Sequence, residues 1–180
     1  MTTLIVIGAI VLIGLYALTT YNKLVAGRNE VKRAFADMDV YLKQRCDQIP
    51  NLVAIVKGYA KHEAETLEKV VAMRSRATTP EEQIAAEKQI STAVHNLMVN
   101  VERYPDLKAN TNFLDLQNKL SEMEDGINKS RRVYNGTVLE YNNLVEMAPS
   151  NIIANFFHFQ TSPMFEVDSA EERKNVKIEF

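Results

Sequence analysis

The stretch FLDLQNKLSEMEDGINKSRRVYNGTVLEYNNLVEMA, residues 113–148, is the one from which the fold is read. Phe113, Leu116, Leu120, Met123, Ile127, Ser130, Tyr134, Thr137, Tyr141, Leu144 and Ala148 follow one another in steps of three and four without a slip. Residues three and four apart share a helix face, so this spacing predicts one amphipathic helix of roughly 53 Å with a heptad seam. Gly126 and Gly136 lie off the seam and lower its intrinsic helix stability slightly, and Pro149 stops it. A seam of that length must be covered by other helices.

The preceding sequence supplies them. Leu24, Val31, Phe35, Met38 and Leu42 form a helical stripe, and Pro50 is expected to end or kink that helix. A second helix is predicted over residues 51–76, with Leu52, Val56, Tyr59, Leu67, Val70 and Met73 as its stripe. Thr79 then reads as an N-cap, with Pro80 at the first helical position and Glu81 and Glu82 at the positive end of the dipole. A third helix follows from Pro80 to about Arg103, with Ile84, Val94, Leu97, Met98 and Val101 on its stripe, and Tyr104-Pro105-Asp106 closes it. Short connections at residues 46–51 and 78–82 favour hairpins within one chain over a coiled-coil rod. The expected fold is therefore all-α: an antiparallel four-helix bundle, followed by a short C-terminal helix and a tail with a strand-like segment at residues 176–180.

All 44 formal charges of this 180-residue chain, 21 basic and 23 acidic, lie at or beyond Lys23. Residues 2–22 carry none, and about twenty helical residues span roughly 30 Å, one hydrocarbon thickness. A cleaved secretory signal would need a basic n-region and a small-residue cleavage site; nothing basic precedes the run except the α-amino group, and Ala17-Leu18-Thr19 is a poor site. The segment reads as a retained transmembrane helix running on into the first bundle helix. Tyr16 and Tyr21 suit the membrane interface. Three parts result: an anchor at residues 1–22, a helical bundle at 23–149, and an apolar cap with a polar tail at 150–180. Lys23, Arg28, Lys32, Arg33, Lys43 and Arg45 follow the anchor, so the positive-inside rule places the bundle in the cytoplasm and the short N-terminus outside. The net charge of −2 hides +4 over residues 23–76 and −6 over residues 77–180. A pI near 6 speaks against nucleic acid as a partner, and a single cysteine, Cys46, excludes a disulfide-built domain.

From Tyr21 to Phe165 the ordered motifs resemble the LemA family of bacterial membrane proteins. They include Tyr21-Asn22-Lys23-Leu24-Val25, Arg28-Asn29-Glu30-Val31-Lys32, Asp37-Met38-Asp39-Val40 and Leu42-Lys43-Gln44-Arg45. Ile49-Pro50-Asn51-Leu52-Val53 and Val56-Lys57-Gly58-Tyr59-Ala60-Lys61-His62-Glu63 are the most specific. Tyr104 to Asn110, Arg132-Val133-Tyr134-Asn135 and Pro149-Ser150-Asn151-Ile152-Ile153-Ala154 complete the set. Departures from the family pattern are Gln44, Phe35, Ala148 and His158, the last standing for a glycine that permits positive φ. The resemblance implies a single-pass anchor, an antiparallel helical bundle, association with the cell envelope, and no established enzymatic activity.

Catalytic signatures are sparse. His62-Glu63 fails the HExxH test, since Thr66 stands where the second His belongs; His95 and His158 are distant. Asp47 beside Cys46 raises a thiol pKa and works against a nucleophile. Asp37 and Asp39, two apart, face different sides of a helix. No catalytic, cofactor or metal residue is assigned. Arg28 and Arg45 fall within the seam of the first helix, where a cation needs partners. Asp37, Asp39, Asp47 and Glu63 are the candidates for an ionic network that fixes helix register, with a partner-binding site as the alternative. Tyr-Asn recurs at 21–22, 134–135 and 141–142 and suits bundle packing. Ile152, Ile153, Phe156, Phe157 and Phe159 form a patch that either caps the bundle or docks on a partner or the membrane.

These features predict a single-pass scaffold or adaptor of the bacterial inner membrane. It would be held in the bilayer by residues 3–22, bind an envelope protein or copies of itself, and carry no catalysis. A membrane-shaping oligomer and an enzyme with an unrecognised site are the alternatives.

Overall fold

Helix α1 (Thr2–Val56) carries the uncharged span into the protein interior without interruption. The computed structural model describes residues 1–165; the strand-like segment at 176–180 lies outside them. After α1 come α2 (Lys61–Arg74), α3 (Pro80–Asn100), a 3-10 turn (Val101–Arg103), a short α4 (Pro105–Lys108), α5 (Thr111–Glu146) and α6 (Ser150–Phe156). The described residues contain no strand, and the expected all-α class holds.

The axis of the molecule is the α1–α5 pair. Gly27 lies against Tyr141, Phe35 meets Tyr134 edge-to-face with ring centroids 5.6 Å apart, Tyr41 packs on Gly126, and Arg45 pairs with Glu124. As numbers rise along α1 they fall along α5, so the two are antiparallel. At Gly126 a Cβ would meet the Tyr41 ring at 2.7 Å, so the absent side chain permits the close approach of the two helices. The α2–α3 hairpin covers only the half of this pair remote from the span: Arg74 at the end of α2 pairs with Asp39, and Glu87 of α3 pairs with Arg45. The core accordingly divides. A distal cluster joins Ile49, Leu52, Val56, Leu67, Ile90, Leu97, Phe113 and Leu120. A proximal cluster joins Leu24, Val31, Met38, Leu42, Ile127, Tyr134, Tyr141, Phe159 and Phe165.

Three local expectations are corrected. Pro50 neither ends α1 nor separates it from α2; the break falls at residues 57–60 instead. Pro50 is exposed, so its missing donor faces water, while Ile49, Leu52, Val53 and Val56 are buried around it and hold the turn. Tyr59 is exposed because it lies in the turn before α2, which begins only at Lys61, and Met73 is exposed on α2, whose buried residues are Ala64, Leu67 and Val70. Beyond Tyr134 the buried face of α5 moves to Val138 and Val145 from the expected Thr137 and Leu144, and Ala148 lies past the helix end. A helix with 3.6 residues per turn drifts about 20° per heptad against a 3.5 repeat, so a long seam shifts by a position. The predicted cap of α3 is present. The Thr79 hydroxyl accepts from the Glu82 N–H at 3.2 Å, and the Glu82 carboxylate accepts from the N–H groups of Thr78 and Thr79. Those backbone donors also lower the Glu82 pKa.

Candidate functional site

The recurrent Tyr-Asn pairs of α5 acquire a purpose in the tertiary structure. After α6 the chain turns at His158, the one non-glycine among the described residues with positive φ, at 55°. It then runs back along α5 as an extended strap, residues 159–165. The Tyr141 hydroxyl donates to the Gln160 carbonyl at 2.9 Å, and the Tyr134 hydroxyl donates to the Pro163 carbonyl at 2.8 Å. The Asn142 amide donates to the Ser162 carbonyl at 2.9 Å and accepts from the Ser162 N–H at 2.8 Å. Asn135 makes the same reciprocal pair with Phe165, at 2.9 and 2.8 Å. The spacing is commensurate: seven helical residues rise roughly 10.5 Å, and three extended residues span roughly 10 Å. A heptad repeat on a helix thus reads every third residue of an extended chain. Phe159 and Phe165 enter the core at either end, with the guanidinium of Arg28 5.2 Å from the Phe159 ring centre and that of Arg131 4.4 Å from that of Phe165.

The clasp draws α6 against the base of α1. The Phe157 ring lies 4.8 Å from that of Tyr21, and the Phe159 ring lies 5.7 Å from it. The five-residue patch therefore divides. Phe159 is buried and Ile153 half-buried, whereas Ile152, Phe156 and Phe157 stay 67%, 75% and 50% exposed. Ile152 and Phe156, four apart, share the outward face of α6. One part of the segment thus caps the bundle, and the other is left exposed.

The second polar feature is a charged centre at mid-bundle. Arg45 is 2% exposed and pairs with Glu87, which is 0% exposed, and with Glu124, whose side chain is 39% exposed. Its Nη2 also donates to Ser91 Oγ at 2.8 Å. Burial lowers the Arg45 pKa, with Glu124 acting against the shift. The candidate network is otherwise corrected. Arg28, Asp37 and Asp47 are exposed and form no ion pair among the described residues, Arg28 instead lying over the Phe159 ring. Asp39 pairs with Arg74, and Glu63 accepts from the Tyr104 hydroxyl at 3.3 Å. None of these joins Arg45. Its carboxylates come from α3 and α5, because the rotation of those helices, not proximity along the chain, points Glu87 and Glu124 inward. The missed signal was Glu87 itself, set one helical turn from Ile90 on the apolar side of α3. Cys46 is half-buried, and burial pushes its thiol pKa up, with Asp47 adding to the shift and Arg74 opposing it.

The LemA family model matches residues 34–180. The chain belongs to the LemA family. A relative described as Protein LemA, from Metamycoplasma hominis (strain ATCC 23114 / DSM 25592 / NBRC 14850 / NCTC 10111 / PG21), is 26% identical over 157 residues, 83% of this chain and 70% of its own length. The LemA match thus takes in the charged centre, the clasp and α6, while the apolar span precedes it.

One pH dependence of this LemA-family fold follows from Tyr134. Burial, with Glu81 adding to it, raises the phenol from its ordinary 10 to about 12. The folded state then holds that proton more tightly than the unfolded chain does. Its contribution to stability is complete below about pH 10 and is lost as pH rises through about 12. A phenolate also cannot donate to Pro163. Burial raises the Tyr141 phenol as well, so spectroscopic titration of tyrosinate should show late-titrating phenols of which the one at about 12 is lost in Tyr134→Phe; an unchanged titration curve in that variant would assign the shift elsewhere.

Proposed function

We propose that this LemA-family chain is a single-pass, membrane-anchored scaffold or adaptor of the bacterial cell envelope, acting without catalysis. The reading rests on one observation: α1 is a single helix from the apolar span to the distal core. Residues 2–22 are uncharged, and residues 2–16 are all exposed, as a lipid-facing helix requires. Because the same helix supplies Leu24, Val31, Met38, Leu42 and Ile49 to the bundle interior, the bundle is held rigidly to its anchor. Confinement to the bilayer raises the effective concentration of the bundle for membrane-bound partners, so a modest interface suffices. Lys23, Arg28, Lys32 and Arg33 are all exposed just past the span, which favours a cytoplasmic bundle in the inner membrane and an outer N-terminus.

Crosslinking of the full chain in native membranes, read by mass spectrometry, should recover an envelope protein or a second copy of the chain. Recovery of neither would remove the scaffold reading. For orientation, Cys46→Ala combined with Val99→Cys places one thiol on the exposed distal surface. It should resist a membrane-impermeant reagent in intact cells and react after lysis. Labelling in intact cells would reverse the topology.

A further inference from the structure

Residues 147–165 contain no Lys, Arg, Asp or Glu, in a chain of which 24% is charged. Only the N-terminal span is a longer uncharged stretch, and the fold places the two side by side. Tyr21 ends the span one residue before Asn22 and two before Lys23, the first charge. Its ring carries Phe157 at 4.8 Å, and Phe157 in turn carries Phe156 at 5.0 Å. Phe156 is therefore two ring contacts from the residue that marks the headgroup level of α1.

Within α6 the division of faces is sharp. Ala154 is buried in the proximal core, while Ile152 and Phe156 are exposed, with none of the described residues covering them. That face carries no charge. The basic groups lie just above it. Lys23 is exposed, and Arg28 holds its guanidinium 5.2 Å from the Phe159 ring centre, where it meets phosphate oxygens if Phe156 and Phe157 enter the layer beneath.

We propose that α6 is a second membrane contact. Its outward face, Ile152 and Phe156 with Phe157, sits in the interfacial layer of the same bilayer that α1 crosses, and Lys23 and Arg28 meet the phospholipid headgroups. A single span leaves a bundle free to turn about its axis. A second contact beside that axis sets both its tilt and the face that the α1–α5 pair presents to partners. The clasp on α5 holds Phe157 against Tyr21 and so positions the contact. This proposal rests on the anchored reading above, and the test separates the two.

The chain has no tryptophan, so single-Trp variants report without background. Full-length Phe156→Trp, Leu12→Trp and Val133→Trp are reconstituted in phosphatidylcholine–phosphatidylglycerol vesicles, with and without brominated acyl chains. Val133, 65% exposed on α5, is the water-facing reference. Phe156→Trp should emit to the blue of Val133→Trp and lose about half its fluorescence to bromines placed near the headgroups, since an interfacial helix reaches roughly 5–10 Å into that boundary. Leu12→Trp should be quenched most by deeper bromines. Emission from Phe156→Trp that matches Val133→Trp overturns the contact. So does blue emission without quenching, which means that a second copy or another protein covers α6. Unquenched Leu12→Trp removes the anchored reading itself, independently of α6. Ile152→Trp serves as the second reporter if Phe156→Trp loses helicity.

Discussion

Arg45→Met, made alone, is expected to cost the bundle roughly 3–5 kcal/mol. The loss comes less from the missing arginine than from what it leaves behind. Glu87 is 0% exposed, and without Arg45 its buried carboxylate loses the guanidinium that pairs with it. Arg45→Met combined with Glu87→Leu should recover most of that loss, because a buried ion pair replaced by apolar groups of similar volume is often neutral or better. Glu124→Ala alone should cost no more than about 1 kcal/mol, since that side chain is 39% exposed and solvent already screens it. Urea unfolding of the full chain in detergent, followed by helical dichroism, provides the three values, and the double-mutant cycle isolates the Arg45–Glu87 coupling. Equal costs for Glu124→Ala and Arg45→Met would show that the pair to Glu87 is not what holds the centre. A large Arg45–Glu87 coupling would assign the centre a role in helix register, since Arg45 of α1 meets carboxylates of α3 and α5 at one level of the bundle.

The second large effect concerns the clasp. Asn135→Ala with Asn142→Ala removes four hydrogen bonds between side-chain amides and the strap backbone, and leaves the Ser162 and Phe165 peptide groups partly buried without partners. At about 1 kcal/mol per bond the strap should lose roughly 4 kcal/mol of docking free energy, or about a thousandfold in its opening equilibrium. Hydrogen exchange at the Ser162 and Phe165 amides should accelerate by about that factor, while the distal cluster around Ile49, Leu97 and Phe113 keeps its protection. Acceleration spread evenly over both clusters would mean that strap and bundle open together. Tyr141→Phe, which deletes one donor and keeps the ring, is the milder control at about 1 kcal/mol.

How far the sequence carried the fold varies with the distance over which the deciding force acts. The cap at Thr79 was legible because donor and acceptor lie three residues apart and their geometry follows from the backbone. The α5 seam was legible through Tyr134 and again at Tyr141, while Val138 and Val145 took the places expected of Thr137 and Leu144, since periodicity states which residues share a face but not how far a helix rotates against its neighbours. Pro50 did not mark the helix end, for a related reason. Its penalty is set by which side of the helix it occupies, and that side is known only when the core is placed. Arg45 was marked by its position in the seam, yet its carboxylates lay 42 and 79 residues away on other helices. The Tyr-Asn repeat was visible as a pattern and silent as to its ligand, because an extended strap has no periodicity of its own to announce it.

What the sequence determined by itself is the uncharged span, the helical class and the family, since hydropathy, 3.6-residue spacing and ordered motifs are written along one chain. Only the tertiary structure decided that Arg45 balances Glu87, that Asn135 and Asn142 hold residues 162 and 165, and that Phe157 rests on Tyr21. These are meetings between segments far apart in the chain, and their partners depend on the rotation and stagger of packed helices, which no local pattern specifies.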